Sequence, residues 1–299
     1  ASTDPDDIPE DVPVAMADIS DLKMTNITND PAKRYYYTLL FGDKYRVKIA
    51  TRNVNIPGIQ NFRDLGGYPS YSTKKQVRWG MIYRSAEIDS LECYSRRELR
   101  NLGIKTLIDL RASSETGRQS PLQKEFNVVH IPLATGDMEN ILKGIREEKI
   151  KSDTVYRMVE QMNRDLIDKY TTEYRQIFDI LLDKNSYPVV IHCSSGKGRT
   201  GIVSALVLAA LGINEDIIME DYRLSNDYFN IPSASKDAYQ LPARSQEAIT
   251  TLFSAREDFL NAAKEEAERR YGDIDSYLQK GIGLNKDEIK RLRSILLSD

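Results

Sequence analysis

The chain has 299 residues, a formal net charge of -3, 40% hydrophobic residues, and only two histidines and two cysteines. Near-neutral charge gives no reason to expect nucleic acid or an anionic membrane surface as the main partner. Two histidines are too few for the His-rich sites of most metallohydrolases, and Cys93 and Cys193 could form one bridge at most, which removes a disulfide scaffold.

Residues 1–22 carry seven acids (Asp4, Asp6, Asp7, Glu10, Asp11, Asp18 and Asp21), three prolines and no base, which predicts a solvated, poorly ordered lead segment. The chain starts at Ala1 with no charged-then-apolar leader. That fits a mature exported protein, secreted or periplasmic, and equally a cytoplasmic chain trimmed by other means. Residues 35–52 read as a β-hairpin: 35–40 is β-rich, Gly42-Asp43 is a turn, and Tyr45, Val47, Ile49 and Thr51 alternate with Arg46, Lys48, Ala50 and Arg52. Residues 77–85 predict a strand, 86–103 a helix closed by Gly103, 105–110 a buried strand and 128–133 another short strand.

From 138 to 186 the pattern turns helical, with Val155, Val159, Met162, Leu166 and Tyr170 at steps of three and four. Residues 187–193 predict an apolar strand, 199–211 an all-round apolar helix, and 245–270 and 286–297 helices packing outside. The apolar stretch 202–211 falls well short of the ~20 residues that cross a bilayer as a helix, so no integral membrane segment is expected. Strands alternating with helices predict an α/β fold with a central, mostly parallel sheet flanked by helices. No repeat and no Gly/Ser linker divides the chain. The expected organisation is an acidic lead and β-hairpin extension over 1–54, then one domain over 55–299 that includes the helical insertion 138–186.

Between the strand ending at Cys193 and the apolar helix runs His192-Cys193-Ser194-Ser195-Gly196-Lys197-Gly198-Arg199-Thr200-Gly201. A strand feeding a glycine-containing loop at a helix N-terminus is an anion trap, because the first amide N–H groups are unpaired and the helix dipole adds positive potential. Gly196 and Gly198 let the backbone curl so that successive N–H groups of residues 194–198 face one point. A cysteine in such a nest, near a guanidinium and an ammonium, should have a depressed pKa and act as a thiolate nucleophile. Arg199, six positions after Cys193, returns across the loop with a planar fork suited to two phosphoryl oxygens. The loop is not a Walker sequence, since the first glycine of that pattern would fall at Ile191, and a rhodanese-type loop places four residues between Cys and Arg. A zinc site pooling His130, His192, Cys93 and Cys193 is disfavoured, because adjacent His192 and Cys193 on a strand point to opposite faces. No metal and no cofactor are therefore expected.

The loop resembles the signature of cysteine-dependent phosphatases, and the chain over about 55–298 is similar to the bacterial tyrosine/serine phosphatase family, whose members include a secreted mycobacterial lipid-and-protein phosphatase. The matching segments are Asn61-Phe62-Arg63-Asp64-Leu65-Gly66-Gly67, Arg78-Trp79-Gly80, Tyr83-Arg84-Ser85-Ala86-Glu87, Ile108-Asp109-Leu110-Arg111, Glu173-Tyr174-Arg175, the loop itself, Asp221-Tyr222-Arg223-Leu224-Ser225-Asn226, and Tyr271-Gly272 with Tyr277-Leu278. The resemblance implies a cysteine-phosphatase-like fold and a metal-independent phosphomonoester hydrolase. In it Cys193 forms a phosphocysteine, Arg199 and the loop amides hold the equatorial oxygens, Thr200 hydrogen-bonds the departing thiolate, and His192 braces the loop. Lys197 adds a cation as in phosphoinositide phosphatases, so phosphotyrosine, phosphoserine or phosphoinositide substrates are expected, with phosphate, sulfate or vanadate as active-site anions. At Gly198 the mycobacterial protein has Asp, and any role of that Asp is absent here. Asp109 is the general acid that the resemblance favours, with Asp137 and Asp64 as alternatives. Pairing of Asp109 with Arg63, Arg84 or Arg111 is the structural reading of the same residue. The insertion 138–186 is either a lid that shelters the thiolate or extra packing helices. Two rival functions stand beside this one: an inositol-phosphate phosphatase and an inactive phosphoanion-binding module.

Overall fold

The strands 82–85, 106–109 and 189–192 are buried along their whole length, the pattern expected of parallel strands covered on both faces. The computed structural model describes the chain except for residues 19, 22, 24, 26–32, 43, 90, 117–120 and 299. An N-terminal hairpin, β1 (Tyr36–Phe41) and β2 (Tyr45–Ala50), precedes the main sheet, and its register runs from Tyr36 opposite Ala50 to Phe41 opposite Tyr45. The predicted turn residue Asp43 lies outside the described residues. Next come β3 (Arg63–Asp64), the short strands β4 (Pro69–Ser70) and β5 (Lys75–Val77), β6 (Ile82–Ser85), α1 (Cys93–Asn101), β7 (Thr106–Asp109) and β8 (Asn127–His130).

Three helices follow: α2 (Met138–Arg146), α3 (Ser152–Lys169) and α4 (Thr171–Leu181). Then come β9 (Val189–His192), α5 (Gly198–Ala210), α6 (Glu215–Arg223), the one-turn helices α7 (Ser225–Tyr228) and α8 (Ile231–Ala234), α9 (Ala243–Phe253), α10 (Glu257–Tyr271), the short α11 (Ile274–Ser276), α12 (Lys286–Leu296) and β10 (Leu297–Ser298). The main sheet has the order β3-β6-β9-β7-β8, parallel except for β3 at its edge, as expected for the α/β class. Ser85 and Asp109 both stand opposite His192, so three strands end together beside Cys193. Ligands of open α/β sheets bind outside the carboxyl ends of strands, and the fold places the loop there.

One face of the sheet (Ile82, Ile108, Val189, Ile191) packs on α4, α5 and α12. The other (Tyr83, Leu107, Val190) packs on Phe62 and Leu99 of α1. A separate apolar cluster joins Ile145 of α2, Val155 and Val159 of α3, and Ile249 and Leu252 of α9. The segment 138–186 is therefore split in its packing. Tyr174, Ile177, Phe178 and Leu181 of α4, with Leu166 and Ile167 near the end of α3, belong to the main core, whereas α2 and the first half of α3 build the separate cluster with α9.

Several predicted boundaries move. The strand expected over 77–85 breaks into β5 and β6 at Trp79-Gly80, where Gly80 takes φ +78°. The helix expected from 86 starts only at Cys93. The helix expected over 245–270 is two, because Ser254 and Arg256 are extended and Glu257 and Asp258 open α10 with favourable charge. The lead segment, read from composition as poorly ordered, is tied to the hairpin: Ser2 and Tyr36 exchange backbone hydrogen bonds of 2.9 and 2.7 Å, Lys48 donates to the Pro5 carbonyl, and Arg46 pairs with Glu10. The backbone of a strand edge supplies partners that composition does not reveal. Arg34 links this N-terminal segment to the main sheet through Asp64 of β3 (2.6 Å) and the Tyr83 hydroxyl of β6 (3.0 Å), and also donates to the Tyr36 hydroxyl of β1 (3.0 Å). Among the described residues no helix is long and apolar enough to cross a membrane, and no group of three or more His, Cys, Asp or Glu side chains is placed to hold a metal ion.

Two guanidiniums share one buried carboxylate at the centre. Arg63 reaches Asp221 Oδ1 at 3.2 Å and Arg84 reaches Oδ2 at 2.6 Å, with Tyr68 donating to Oδ1 at 2.9 Å, and all three charged residues are at most 1% exposed. Burial alone would raise the Asp221 pKa, but the two arginines hold it down at about 2. Replacing Asp221 by Asn leaves two buried cations uncompensated. Urea unfolding at pH 7 should show a loss of about 3–5 kcal/mol. The Asp221 contribution is present above the ordinary aspartate range and is lost as pH falls through about 2, so the gap between variant and wild type should narrow below pH 4. An unchanged unfolding midpoint at pH 7 would contradict this role.

Candidate active site

β9 ends at His192, and the chain enters α5 at Gly198 after a single turn of loop. The carbonyls of that loop point outward onto donors from elsewhere. Glu87 N donates to the Ser194 carbonyl at 3.2 Å, Asn61 Nδ2 to those of Ser195 and Gly196 at 3.1 Å each, and Arg84 Nη2 to that of Gly196 at 2.8 Å. In a trans peptide the C=O and the next N–H point in opposite directions. Outward carbonyls at 194–196 thus turn the amides of Ser195, Gly196 and Lys197 inward, a geometry that suits an anion. Gly196 is required there twice over: its φ is +67°, and a Cβ would lie 2.4 Å from the Ser85 carbonyl carbon. Gly201 serves close packing, since a Cβ would meet the Tyr222 ring at 2.8 Å. At Gly198 the nearest atom to a Cβ would be Asn163 Oδ1 of α3, at 3.9 Å. Crowding therefore does not require glycine at this position.

Cys193 is buried, and burial by itself would push its thiol pKa up. The charge of Arg199, the Thr200 hydroxyl and the amides of Thr200 and Gly196 outweigh that and bring the pKa below the ordinary thiol value. Thr200 Oγ1 is buried and has no well-aligned hydrogen-bond partner, so its proton remains available to the sulfur beside it. His192 is buried with Nδ1 unpartnered, 3.9 Å from Asp109 Oδ1. Burial lowers its pKa to about 4, so it is neutral and too weakly basic to take a proton near pH 7. A brace from His192 to the loop does not run through Nδ1.

The predicted residues separate clearly. Asp109 ends β7 beside His192, and of the three candidate partners it is Arg111 that it pairs with, at 2.8 Å; Arg63 and Arg84 go to Asp221. Burial raises the Asp109 pKa, yet the Arg111 hydrogen bonds win and leave it lowered. Arg111 also forks onto Asp89, and its carbonyl lies 2.6 Å from His130 Nε2. The structure does not bring Asp64 to the loop chemistry: it is fully buried, and its oxygens are taken by Gly66 N, Gly80 N and Arg34. Asp137 is exposed and caps α2, accepting from Asn140 N at 3.0 Å. Lys197 is buried and its ammonium donates to the Leu252 carbonyl in the last turn of α9. Burial, with a smaller contribution from the charge of Arg256, lowers its pKa to about 7. Ser194 Oγ accepts from Arg199 Nη2 at 2.6 Å.

One residue at the site carried no signal in the sequence. Glu115, on the turn after β7, forks onto Arg199, with Oε2 2.5 Å from Nη1 and Oε1 2.8 Å from Nη2. The two lie 84 positions apart, and only the adjacent ends of β7 and β9 bring them together. Asn61, Glu87 and Asp221 stood in the quoted family segments without individual roles, and Arg63 and Arg84 only as candidate partners of Asp109; together they brace the loop from behind. Two cavities, of about 640 and 400 Å³, lie elsewhere, the first against Arg34, Tyr36 and Trp79, the second between residues 134–136 and Met158, Met162 and Tyr170.

Residues 54–298 match a family described as the tyrosine phosphatase family. The chain is 30% identical over 285 residues to the triple specificity protein phosphatase PtpB of Mycobacterium tuberculosis, covering 81% of this chain and 98% of that protein. It is 25% identical over 238 residues to a putative tyrosine-protein phosphatase of Cupriavidus necator, covering 78% and 85% respectively. Among solved structures, TpbA of P. aeruginosa aligns over 59% of this chain and 89% of its own, at 15% identity and a TM-score of 0.30.

The electrostatics of the loop predict a titration. In a Cys93→Ser background, which removes the one other thiol, ultraviolet absorbance of the thiolate should titrate with a midpoint below the ordinary cysteine value of about 8.5. Arg199→Met should move that midpoint upward. A wild-type midpoint at or above the ordinary value would contradict the balance described above.

Proposed function

The chain belongs to the tyrosine phosphatase family and is an enzyme of that hydrolase type, and on this premise we propose that it acts through a phosphocysteine at Cys193. The observation that carries the reading is the nest of inward amides around a buried thiol whose pKa is lowered by Arg199. In the first step Cys193 Sγ attacks phosphorus in line, the bond from phosphorus to the ester oxygen breaks, and that oxygen takes a proton from Asp109. In the second, water attacks the phosphocysteine, the S–P bond breaks and the thiolate returns, while Asp109 accepts the proton of the water. The amides of residues 194–198 and the Arg199 guanidinium hold the equatorial oxygens, where transition-state charge develops. Thr200 stabilises the leaving thiolate with the hydroxyl that has no other partner.

Asp109 is ionised in this arrangement because Arg111 holds it, so its donor role favours acidic conditions. A reaction needing ionised Cys193 and protonated Asp109, both with lowered pKa values, runs best on the acid side of neutrality. Phosphotyrosine proteins are the first substrate class, and phosphoserine and phosphoinositides the further ones. The name of the mycobacterial relative, a triple specificity phosphatase, supports that breadth. For a second phosphate, Lys197 would exchange the Leu252 carbonyl for substrate oxygens, which couples such substrates to α9. The cluster of α2, α3 and α9 is the part suited to act as a lid, since Cys193, Lys197 and Arg199 are at most 6% exposed and substrate needs an opening.

The test is a panel of a phosphotyrosine peptide, a phosphoserine peptide, phosphoinositide vesicles and a soluble inositol phosphate, assayed with a chelator present. Wild type should hydrolyse the phosphotyrosine peptide and Cys193→Ser should not. Asp109→Asn should slow alkyl phosphates about 10²–10⁴-fold, aryl phosphates less, and flatten the fall in rate above the acidic optimum. Lys197→Met should cost phosphoinositide activity more than phosphotyrosine activity. Full activity in Cys193→Ser, or equal effects of Asp109→Asn on both leaving groups, would overturn the respective assignment.

A further inference from the structure

Residues 52–54 lie antiparallel along the edge of β3. Asp64 N donates to the Arg52 carbonyl at 3.0 Å, Val54 N donates to the Phe62 carbonyl at 3.1 Å, and Asn53 bridges Arg63 between them. The end of the N-terminal extension is thus laid on the segment that carries Asn61 and Arg63, two of the braces behind the loop.

The Arg52 side chain reaches further. Nη1 donates to the carbonyls of Asp64 and Gly66 at 2.8 Å each, and the guanidinium lies over the Tyr68 ring, with Cζ 3.7 Å from its centroid. Tyr68 is buried, and its hydroxyl donates to Asp221 Oδ1 at 2.9 Å. Asp221 Oδ2 accepts from Arg84 Nη1 at 2.6 Å, and Arg84 Nη2 donates to the Gly196 carbonyl at 2.8 Å. An unbroken line of contacts therefore runs from Arg52 through Tyr68, Asp221 and Arg84 to the loop. A cation over an aromatic face is attracted by the ring quadrupole. Burial and the charge of Asp221 raise the Tyr68 pKa, and the charge of Arg52 opposes them, so the phenol is a stronger donor than it would be without the cation. Arg34 differs: it meets the Asp64 side chain, whose oxygens serve Gly66 N and Gly80 N rather than the loop.

We propose that Arg52 is a positioning residue for the anion loop, acting through the Tyr68 hydroxyl on Asp221 and Arg84 and so on the direction of the Gly196 carbonyl. The N-terminal extension is then part of the active-site frame, although the matched family region starts only at residue 54. The inference rests on the reading of the loop as the phosphoryl-binding site. Its physical basis is preorganisation. The Gly196 carbonyl is held outward only as firmly as Arg84 is held, and the Lys197 amide shares its peptide plane. The rival role is a clasp, in which Arg52 fastens the extension to β3 and contributes stability alone.

Vanadate affinity reads the loop and melting curves read the clasp, so together they separate the two roles. Arg52→Gln removes the cation, Arg52→Lys keeps a charge over the ring, and Tyr68→Phe keeps the ring without the hydroxyl. Arg52→Gln should weaken vanadate about two- to tenfold, the scale of one cation–aromatic contact, and lower kcat/KM for an aryl phosphate by a similar factor. Arg52→Lys should recover most of the loss. Tyr68→Phe should weaken vanadate at least as much, and in that background Arg52→Gln should add less than about twofold, the non-additivity of residues acting along one route. Melting curves should place each variant as folded at the assay temperature. A lowered melting temperature with wild-type vanadate affinity in Arg52→Gln would overturn the proposal in favour of the clasp. An undiminished effect of Arg52→Gln in the Tyr68→Phe background would overturn the route through the hydroxyl. Wild type that binds no vanadate would overturn the reading of the loop and this proposal with it. Wild type that binds vanadate yet accumulates no phosphate on Cys193 in quenched turnover would count against the phosphocysteine alone, and the vanadate comparison would still decide the role of Arg52.

Discussion

Three consecutive carbonyls, those of Ser194, Ser195 and Gly196, are turned away from Cys193 and held by donors from outside the loop. Peptide planarity then leaves the following amides no choice but to face inward. Curling a backbone so that its N–H groups converge brings partial positive charges together without a counterion, and outward hydrogen bonds are what offset this. Each brace depends on something deeper. Asn61, which also accepts from Arg63, sits at φ +56°, a conformation asparagine tolerates well. Arg84 reaches the Gly196 carbonyl from a guanidinium anchored on Asp221, and Asp221 is shared with Arg63. The buried ion network and the anion nest are one mechanical unit, with β3, β6 and α6 as its frame.

The charges in this unit are graded by burial and partner. Asp221 lies between two guanidiniums and stays ionised far below neutral pH, which makes it structural. Lys197 faces the Leu252 carbonyl and the nearby sulfur, with Arg256 opposing its charge, and its charge is adjustable near pH 7. Arg199 is charged under all working conditions and is tied at its far end, which suits the group that must meet developing phosphoryl charge. Asp109 is held below the ordinary aspartate value by its hydrogen bonds to Arg111, against the burial that would raise it.

The parts of the fold most legible in the sequence were those with local causes. The apolar run before Cys193 and the all-apolar helix after it carried β9 and α5, because central parallel strands and a central helix bury every face. Boundaries slipped where a single residue redirected the chain, as at Gly80, or where two amphipathic helices shared one periodicity, as on either side of Ser254. At the site, the spacing of Cys193, Gly196 and Arg199 was readable because a loop is local. Asp64 was a reasonable carboxyl candidate in sequence, yet Arg34, from a segment outside the matched family region, and two backbone amides consume it. Asp137 precedes a helix, and capping was its local use. Glu115 was invisible because its partner lies on a different strand-to-helix connection, and only the register of Asp109 against His192 puts the two loops side by side.

The most direct measurement is the vanadate dissociation constant of Asn61→Gly. Glycine accepts the left-handed backbone at this position, so the substitution removes the donor to the Ser195 and Gly196 carbonyls without backbone strain. Loss of two such hydrogen bonds, each worth roughly 0.5–1.5 kcal/mol, should weaken vanadate about tenfold or more while the variant remains folded. Wild-type affinity in a folded Asn61→Gly variant would contradict the claim that outward carbonyls, held from behind, are what make this loop bind an anion.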